Sequence, residues 1–326
     1  MGRDCLNTVA FLSPVQAQLQ LVEERLHAQA ADRHPDLRAA LEQILAAGGK
    51  RIRPSLGLLV GYMLGAPEDK LITLGAAVEL LHTATLVHDD LIDGSLLRRG
   101  MPTLNARWSP AATVLTGDFL FARAAKLAAE TDNLPLMNLF AETLAVIVNG
   151  ELNQMMSGRG VLNRAGYYQR IYAKTASLFE MTSRAAAMIS PAGEETIEAM
   201  RRFGYEIGMA FQIVDDILDY TGEQAAMGKP IGSDLLSGLI TLPAIYYAES
   251  CPHDEDVTSL QDGGWANHER MARLVESIRK TDAVKASIDE ANQHVENALA
   301  ILDTFDPSPE RDALENLAKF IVDRKV

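Results

Sequence analysis

Apolar residues recur along this chain at three- and four-residue intervals, the period of helices buried along one side, while the two-residue alternation of strands is scarce. The pattern predicts helices over 15–28, 36–46, 54–64, 70–92, 111–130, 135–157, 165–189, 194–220, 239–248, 268–280, 281–300 and 310–323. Breaks fall at 48–49, 65–67, 100–102, 157–166 and 222–234, where glycine, proline and polar residues gather. The acidic stretch 252–262 reads as a surface loop, and no fixed-period repeat is present. The expected class is all-α, a single domain over 1–326 with 1–14 as a flexible arm.

Composition narrows the partners. The chain has 326 residues, 48% of them hydrophobic, enough for a sizeable core. A net charge of −14 argues against nucleic acid, whose phosphates need a basic footprint. Phosphorylated substrates remain compatible if divalent cations lie between them and the protein's carboxylates. Cys5 and Cys251 are too few for a disulfide framework. The N-terminus has neither a signal-peptide apolar stretch nor a myristoylation signal, and the apolar run 56–64 is about half a bilayer span. These features lead to the expectation of a cytoplasmic protein.

Two carboxylate clusters carry the chemistry. In HDDLIDGSLLRRG, Asp89, Asp90 and Asp93 lie within an arc of about 100° on one helix face. In FQIVDDILDYTGE, Asp215, Asp216 and Asp219 repeat that spacing 126 positions later, from 89 to 215. One such cluster reads equally as a solvated acidic face; recurrence after a second apolar helix does not. Sets of carboxylates without cysteine or histidine suit magnesium, which keeps waters and accepts substrate oxygens. Lys50, Arg51, Arg53, Arg98, Arg99, Lys174 and Lys229 are cations suited to phosphate, although each taken singly also reads as a solvent charge.

At these residues the chain resembles the trans-type polyprenyl synthetase family, in its medium- and long-chain branch. The carriers are GGKRIRP at 48–54, LLHTATLVHDDLIDGSLLRRGMPT at 80–103, KTASLF at 174–179, and FQIVDDILDYTGE followed by GKPIGSDL at 228–235. The resemblance implies the isoprenoid synthase fold, a bundle of long antiparallel helices around a central cavity with the aspartate motifs facing each other at its mouth. It implies magnesium, three ions per site, with Asp89, Asp93 and Asp215 as ligands and Asp90, Asp216 and Asp219 either supporting those ligands or reaching the ions through water. Arg98, Lys174, Thr175, Gln212 and Lys229 are expected to hold an allylic diphosphate, and Lys50, Arg53, His82 and Arg99 isopentenyl diphosphate. His82 alone reads as a core histidine, but lies about 20° from Asp89 on the wheel. Membrane contact is expected only through the lipid product, and a homodimer is the expected assembly.

The implied reaction is loss of diphosphate from the allylic substrate, attack of the isopentenyl double bond on the resulting cation, and proton loss. Aspartate motifs, Arg98, Lys174 and Lys229 are the implied catalytic set. One departure concerns the segment before TLP, where similar proteins usually carry lysine and this chain has Leu239 and Ile240. Ala84 and Thr85 below Asp89 are small, so a product longer than fifteen carbons is expected. On the wheel Thr85 lies about 40° from Asp89 and Ala84 about 140° away. Phe119 and Phe121 are candidates for the floor, or simply core. Alternatives are a farnesyl or geranylgeranyl diphosphate synthase, a terpene cyclase, whose second motif usually mixes Asn or Asp, Ser or Thr, and Glu, and a non-catalytic subunit of a heteromeric synthase.

Overall fold

The computed structural model describes residues 10–31, 34–46, 49–98, 100–156, 159–221, 231–260 and 263–324. Their regular structure is almost wholly helical, with one short antiparallel hairpin, β1 (Leu97–Arg98) and β2 (Met101–Pro102). The chain divides into two compact units: Met1–Glu142, Met181–Arg201 and Phe305–Asn316 form the first, and Thr143–Glu180, Arg202–Thr304 and Leu317–Val326 the second.

The first unit is organised around α4 (Glu68–Ile92), preceded by α1 (Gln16–His27), α2 (Pro35–Ala46) and α3 (Ile52–Met63) and followed by α5 (Pro110–Ala129). Helix α4 packs against α1, α3 and α5. Its apolar positions, from Leu71 and Leu74 through Leu80, Leu81 and Ala84 to Val87, are buried almost completely. By length and composition α4 passes as a membrane span, which the apolar run 56–64 did not suggest. Two thirds of its most apolar stretch is buried within the protein (67%), as befits a core helix. Helix α5 starts where Pro110 follows Ser109, whose hydroxyl accepts from Ala112 N at 3.3 Å.

The second unit contains α7 (Arg164–Ile171), α10 (Ser233–Leu236), α11 (Leu242–Ser250), α12 (Glu255–Ser259), α13 (His268–Arg279) and α14 (Ala283–Leu302). Helix α11 packs against α13 and α14. Four of the five unit boundaries fall inside α6 (Leu134–Met156), α8 (Ser177–Met188), α9 (Glu194–Thr221) and α15 (Pro309–Asp323), and the fifth, at 304/305, lies between α14 and α15.

Several details differ from the periodicity. Residues 10–14, expected within a flexible arm, belong to a 3-10 helix, Ala10–Val15, with Leu12 and Val15 buried, while residues 1–9 lie outside the described set. The expected helix over 165–189 is interrupted by a π turn at Tyr172–Ala176. The expected loop over 252–262 contains α12, because Asp254 caps Asp256 N and Val257 N at 2.8 and 3.2 Å. Helix α11 begins at Leu242 rather than 239, since Thr241 is extended and Pro243 occupies the first turn.

Candidate active site

The buried length of α4 delivers the first aspartate motif to its last turn. Asp89 is half-buried, Asp90 is buried, and Asp93 is the exposed C-cap. Carboxylates at a helix C-terminus face the negative end of the helix dipole, so cations must compensate. Arg98 does so for one of them: its Nε donates to both Asp90 oxygens, at 2.9 and 3.0 Å. The hairpin that carries Arg98 is tied back by Thr103 Oγ1 donating to Ser95 O at 2.7 Å and Asn105 Nδ2 donating to Ser95 O at 3.0 Å.

The second motif, in the second unit, repeats the first in its burial as well as its spacing. It lies in the last turns of α9, with Asp215 half-buried and Asp216 buried. The third carboxylate breaks the parallel: Asp93 is exposed, whereas Asp219 is buried and accepts from Ser233 N, Ser233 Oγ and Asp234 N at 3.1, 2.8 and 3.0 Å. Asp219 thereby holds the start of α10. Asp215 Oδ1 receives Arg324 Nη1 at 2.8 Å. Asp216 accepts from Gln212 Nε2 and Tyr167 OH, each at 2.8 Å. Burial, then the charge of Asp234, pushes the Asp216 carboxyl up to about 7, against the hydrogen bonds of Gln212 and Tyr167 and the charge of Arg170.

The cations sort by burial. In the GGKRIRP segment Lys50 is exposed and Arg53 half-buried, but Arg51 is buried. Arg51 adopts a left-handed backbone at φ 49° and binds Glu79 Oε1 and Glu23 Oε1, each at 2.5 Å, and Leu45 O at 3.0 Å. Burial pulls its guanidinium down, and the two glutamates outweigh that and raise it. Arg51 is therefore a structural cation among the first unit's helices. His82 is half-buried on α4.

Lys174 and Thr175 lie on the π turn, a rare geometry that concentrates at functional sites. Two glycines allow its close packing: a Cβ on Gly150 would lie 2.5 Å from Ala173 Cβ, and one on Gly208 2.5 Å from Ala176 Cα. Lys174 Nζ lies 2.9 Å from Glu151 Oε1, and Thr175 Oγ1 donates to Gln212 Oε1 at 2.5 Å. Arg99 and Lys229, both expected phosphate ligands, lie outside the described residues.

Along α4 Ala84 is fully buried, whereas Thr85 is half-buried with its hydroxyl on His82 O at 2.8 Å. Phe119 and Phe121 stand about 160° apart around α5. Phe121 packs edge-on to His88, with ring centroids 5.3 Å apart. The two candidate floor residues therefore lie on different sides of α5.

Among the described residues no three His, Cys, Asp or Glu side chains converge at metal-binding distance. The carboxylates of Asp89 and Asp93 in the first unit, and separately that of Asp215 in the second, are oxygen ligands of the kind a hard cation accepts alongside water and phosphate. Tyr167, Arg170, Glu151 and Arg324 escaped the sequence reading. Tyr167 precedes Asp216 by 49 positions and Arg324 follows Asp215 by 109, so no local pattern links them.

Comparison with known proteins identifies the family. The polyprenyl synthetase family model matches residues 34–278. An all-trans-nonaprenyl-diphosphate synthase (geranyl-diphosphate specific) from Rhodobacter capsulatus is 36% identical over 319 residues, 96% of this chain and 97% of that protein. Heptaprenyl diphosphate synthase component 2 of Geobacillus stearothermophilus is 36% identical over 315 residues, 96% and 97% respectively. A crystal structure of a Caulobacter crescentus polyprenyl synthase, complexed with calcium and isoprenyl diphosphate, superposes with a TM-score of 0.90 at 36% identity, covering 99% of this chain and 100% of that one. On its paired aspartate motifs, its helical architecture and these similarities, the chain belongs to the polyprenyl synthetase family of prenyl-transferring enzymes.

Proposed function

We propose that this chain is a magnesium-dependent synthase that condenses isopentenyl diphosphate with an allylic diphosphate into a trans-polyprenyl diphosphate longer than fifteen carbons. The observation that carries the reading is the repetition of a half-buried and a buried aspartate in the last turns of two long helices, a crowding of carboxylates that a divalent cation would relieve. The family comparison adds the substrate class.

Asp89, Asp93 and Asp215 are the proposed magnesium ligands, with Asp90, Asp216 and Asp219 in support, and three ions per site is the expected number. When bound, magnesium supplies Lewis-acid stabilisation of the departing diphosphate. Arg98, Lys174 and Lys229 offset the negative charge that grows on that diphosphate as its bond to the allylic C1 breaks. Thr175 and Gln212 shape the same diphosphate pocket. Lys50, Arg53, His82 and Arg99 hold isopentenyl diphosphate so that its double bond attacks C1, after which a proton passes to the released diphosphate. Apolar walls keep water from the cation. Thr85, rather than Ala84, is the proposed upper wall for the growing tail, with Phe119 or Phe121 below.

The long-chain reading draws support from the names of the Rhodobacter and Geobacillus relatives. A second reading, dependence on another subunit, is favoured by the Geobacillus relative being one component of its enzyme. A homodimer is the proposed assembly, covering apolar side chains such as Leu115 on α5, which is 67% exposed. The proposed setting is the cytoplasm, with membranes touched only through the product.

The deciding experiment incubates the purified chain alone with magnesium, isopentenyl diphosphate and separate geranyl, farnesyl and geranylgeranyl diphosphate primers, then sizes the dephosphorylated products. Chains beyond fifteen carbons are expected. No product with any primer would sink the one-chain reading.

A further inference from the structure

Four side chains of the second unit form one hydrogen-bond chain whose donors converge on Asp216. Thr175 Oγ1 donates to Gln212 Oε1 at 2.5 Å, Gln212 Nε2 donates to Asp216 Oδ1 at 2.8 Å, and Tyr167 OH donates to Asp216 Oδ2 at 2.8 Å. Its polarity is fixed. Turning the Gln212 amide over would set its NH2 against the Thr175 hydroxyl and its oxygen against the Asp216 carboxylate, so Thr175, Gln212 and Asp216 meet in one register.

Tyr167 closes the chain from a fully buried position at 1% exposure, and burial holds its phenol well above the usual range, so it stays a donor. Arg170, one turn on, anchors the same helix: its guanidinium lies 5.4 Å from the Tyr167 ring centroid, and Nη2 donates to Ile240 O at 2.5 Å. The chain runs from Tyr167 on α7 through Asp216 and Gln212 of α9, the helix that presents Asp215, to Thr175 on the π turn that presents Lys174. That turn abuts α9 directly at Gly208. Its backbone lacks the regular α-helical bonding, so side-chain ties matter more for where it points.

We infer that Tyr167 is a positioning residue: through Asp216 and Gln212 it holds the helix of Asp215 and the π turn of Lys174 in one register, and so sets the affinity for the allylic diphosphate. The inference rests on the assignment of Lys174 and Asp215 to the diphosphate–magnesium site. Tyr168 supplies an internal control, because it lies on the same helix and its OH donates to Glu290 Oε1 at 2.5 Å, an acceptor that is not a member of this chain.

The test compares Tyr167→Phe with Tyr168→Phe. Melting temperature, KM for each substrate and calorimetric binding of inorganic pyrophosphate with magnesium are measured for both. Loss of a hydrogen bond to a buried carboxylate corresponds to about tenfold or more. Tyr167→Phe is therefore expected to raise the allylic KM and the pyrophosphate Kd by about that factor, with the KM for isopentenyl diphosphate unchanged, whereas Tyr168→Phe is expected to leave all three unchanged. Equal allylic KM and pyrophosphate Kd in the two variants overturn the inference. Should Tyr167→Phe alone fail to fold, the double variant with Asp216→Asn, which removes the buried charge, takes its place. Wild-type pyrophosphate affinity in that double variant also overturns the inference. A wild-type protein that neither elongates primers nor binds pyrophosphate would instead sink the functional reading, so the two failures are distinguishable.

Discussion

Arg324, at the end of the described chain, closes on Asp215: Nη1 sits 2.8 Å from Oδ1, Nη2 donates to Phe211 O at 3.1 Å, and the guanidinium lies 4.0 Å from the Phe211 ring centroid. An aspartate proposed as a magnesium ligand is thus already neutralised by a cation from the same unit. Metal and arginine compete for that oxygen. Arg324→Ala is expected to lower the magnesium concentration for half-maximal activity about two- to fivefold, the worth of a partly exposed ion pair. A magnesium titration checks it, and a raised requirement would assign Arg324 to substrate binding instead.

Arg51 and its neighbours should separate stability from catalysis. Arg51→Met leaves Glu79 buried without its cation, with an expected loss of about 3–5 kcal/mol in urea unfolding. Lys50→Ala, at an exposed position, should leave unfolding unchanged and raise the KM for isopentenyl diphosphate. Similar unfolding in both variants would refute the division of labour along this segment.

The pair Arg98 and Asp90 makes a related case on the hairpin. Arg98→Ala strands a buried carboxylate, at about 1–3 kcal/mol. Adding Asp90→Asn should restore much of that stability while activity stays low. Denaturation curves of the single and double variants give the answer.

Gly208 is expected to tolerate no side chain. In Gly208→Ala the new Cβ meets the backbone of the π turn at Ala176, so the turn must shift, with overpacking of about 1–3 kcal/mol. Lys174 rides on that turn, and the allylic KM should rise even where the fold survives. An unchanged KM would mean that the turn's position does not set diphosphate binding.

Product length offers a test along α4. Thr85→Phe should shorten the products seen by chromatography, and alanine at whichever of Phe119 and Phe121 is the floor should lengthen them. Leu239→Lys, restoring the cation common in similar proteins, should lower the allylic KM. Unaltered product length in all three wall variants would remove α4 and α5 from length control.

The sequence by itself determined the helical class, most helix bounds and both aspartate motifs, because apolar periodicity and carboxylate spacing are local and survive in a linear reading. It also supplied the basic segments, without ranking them. Only the tertiary structure separated Arg51 from Lys50, since burial against Glu23 and Glu79 depends on residues 28 positions away on either side. The same holds for Arg324 on Asp215, for Tyr167 beneath Asp216 and for the π turn between Gly150 and Gly208. Each is a relation between distant positions, set by which helices pack together, and local periodicity carries no record of it.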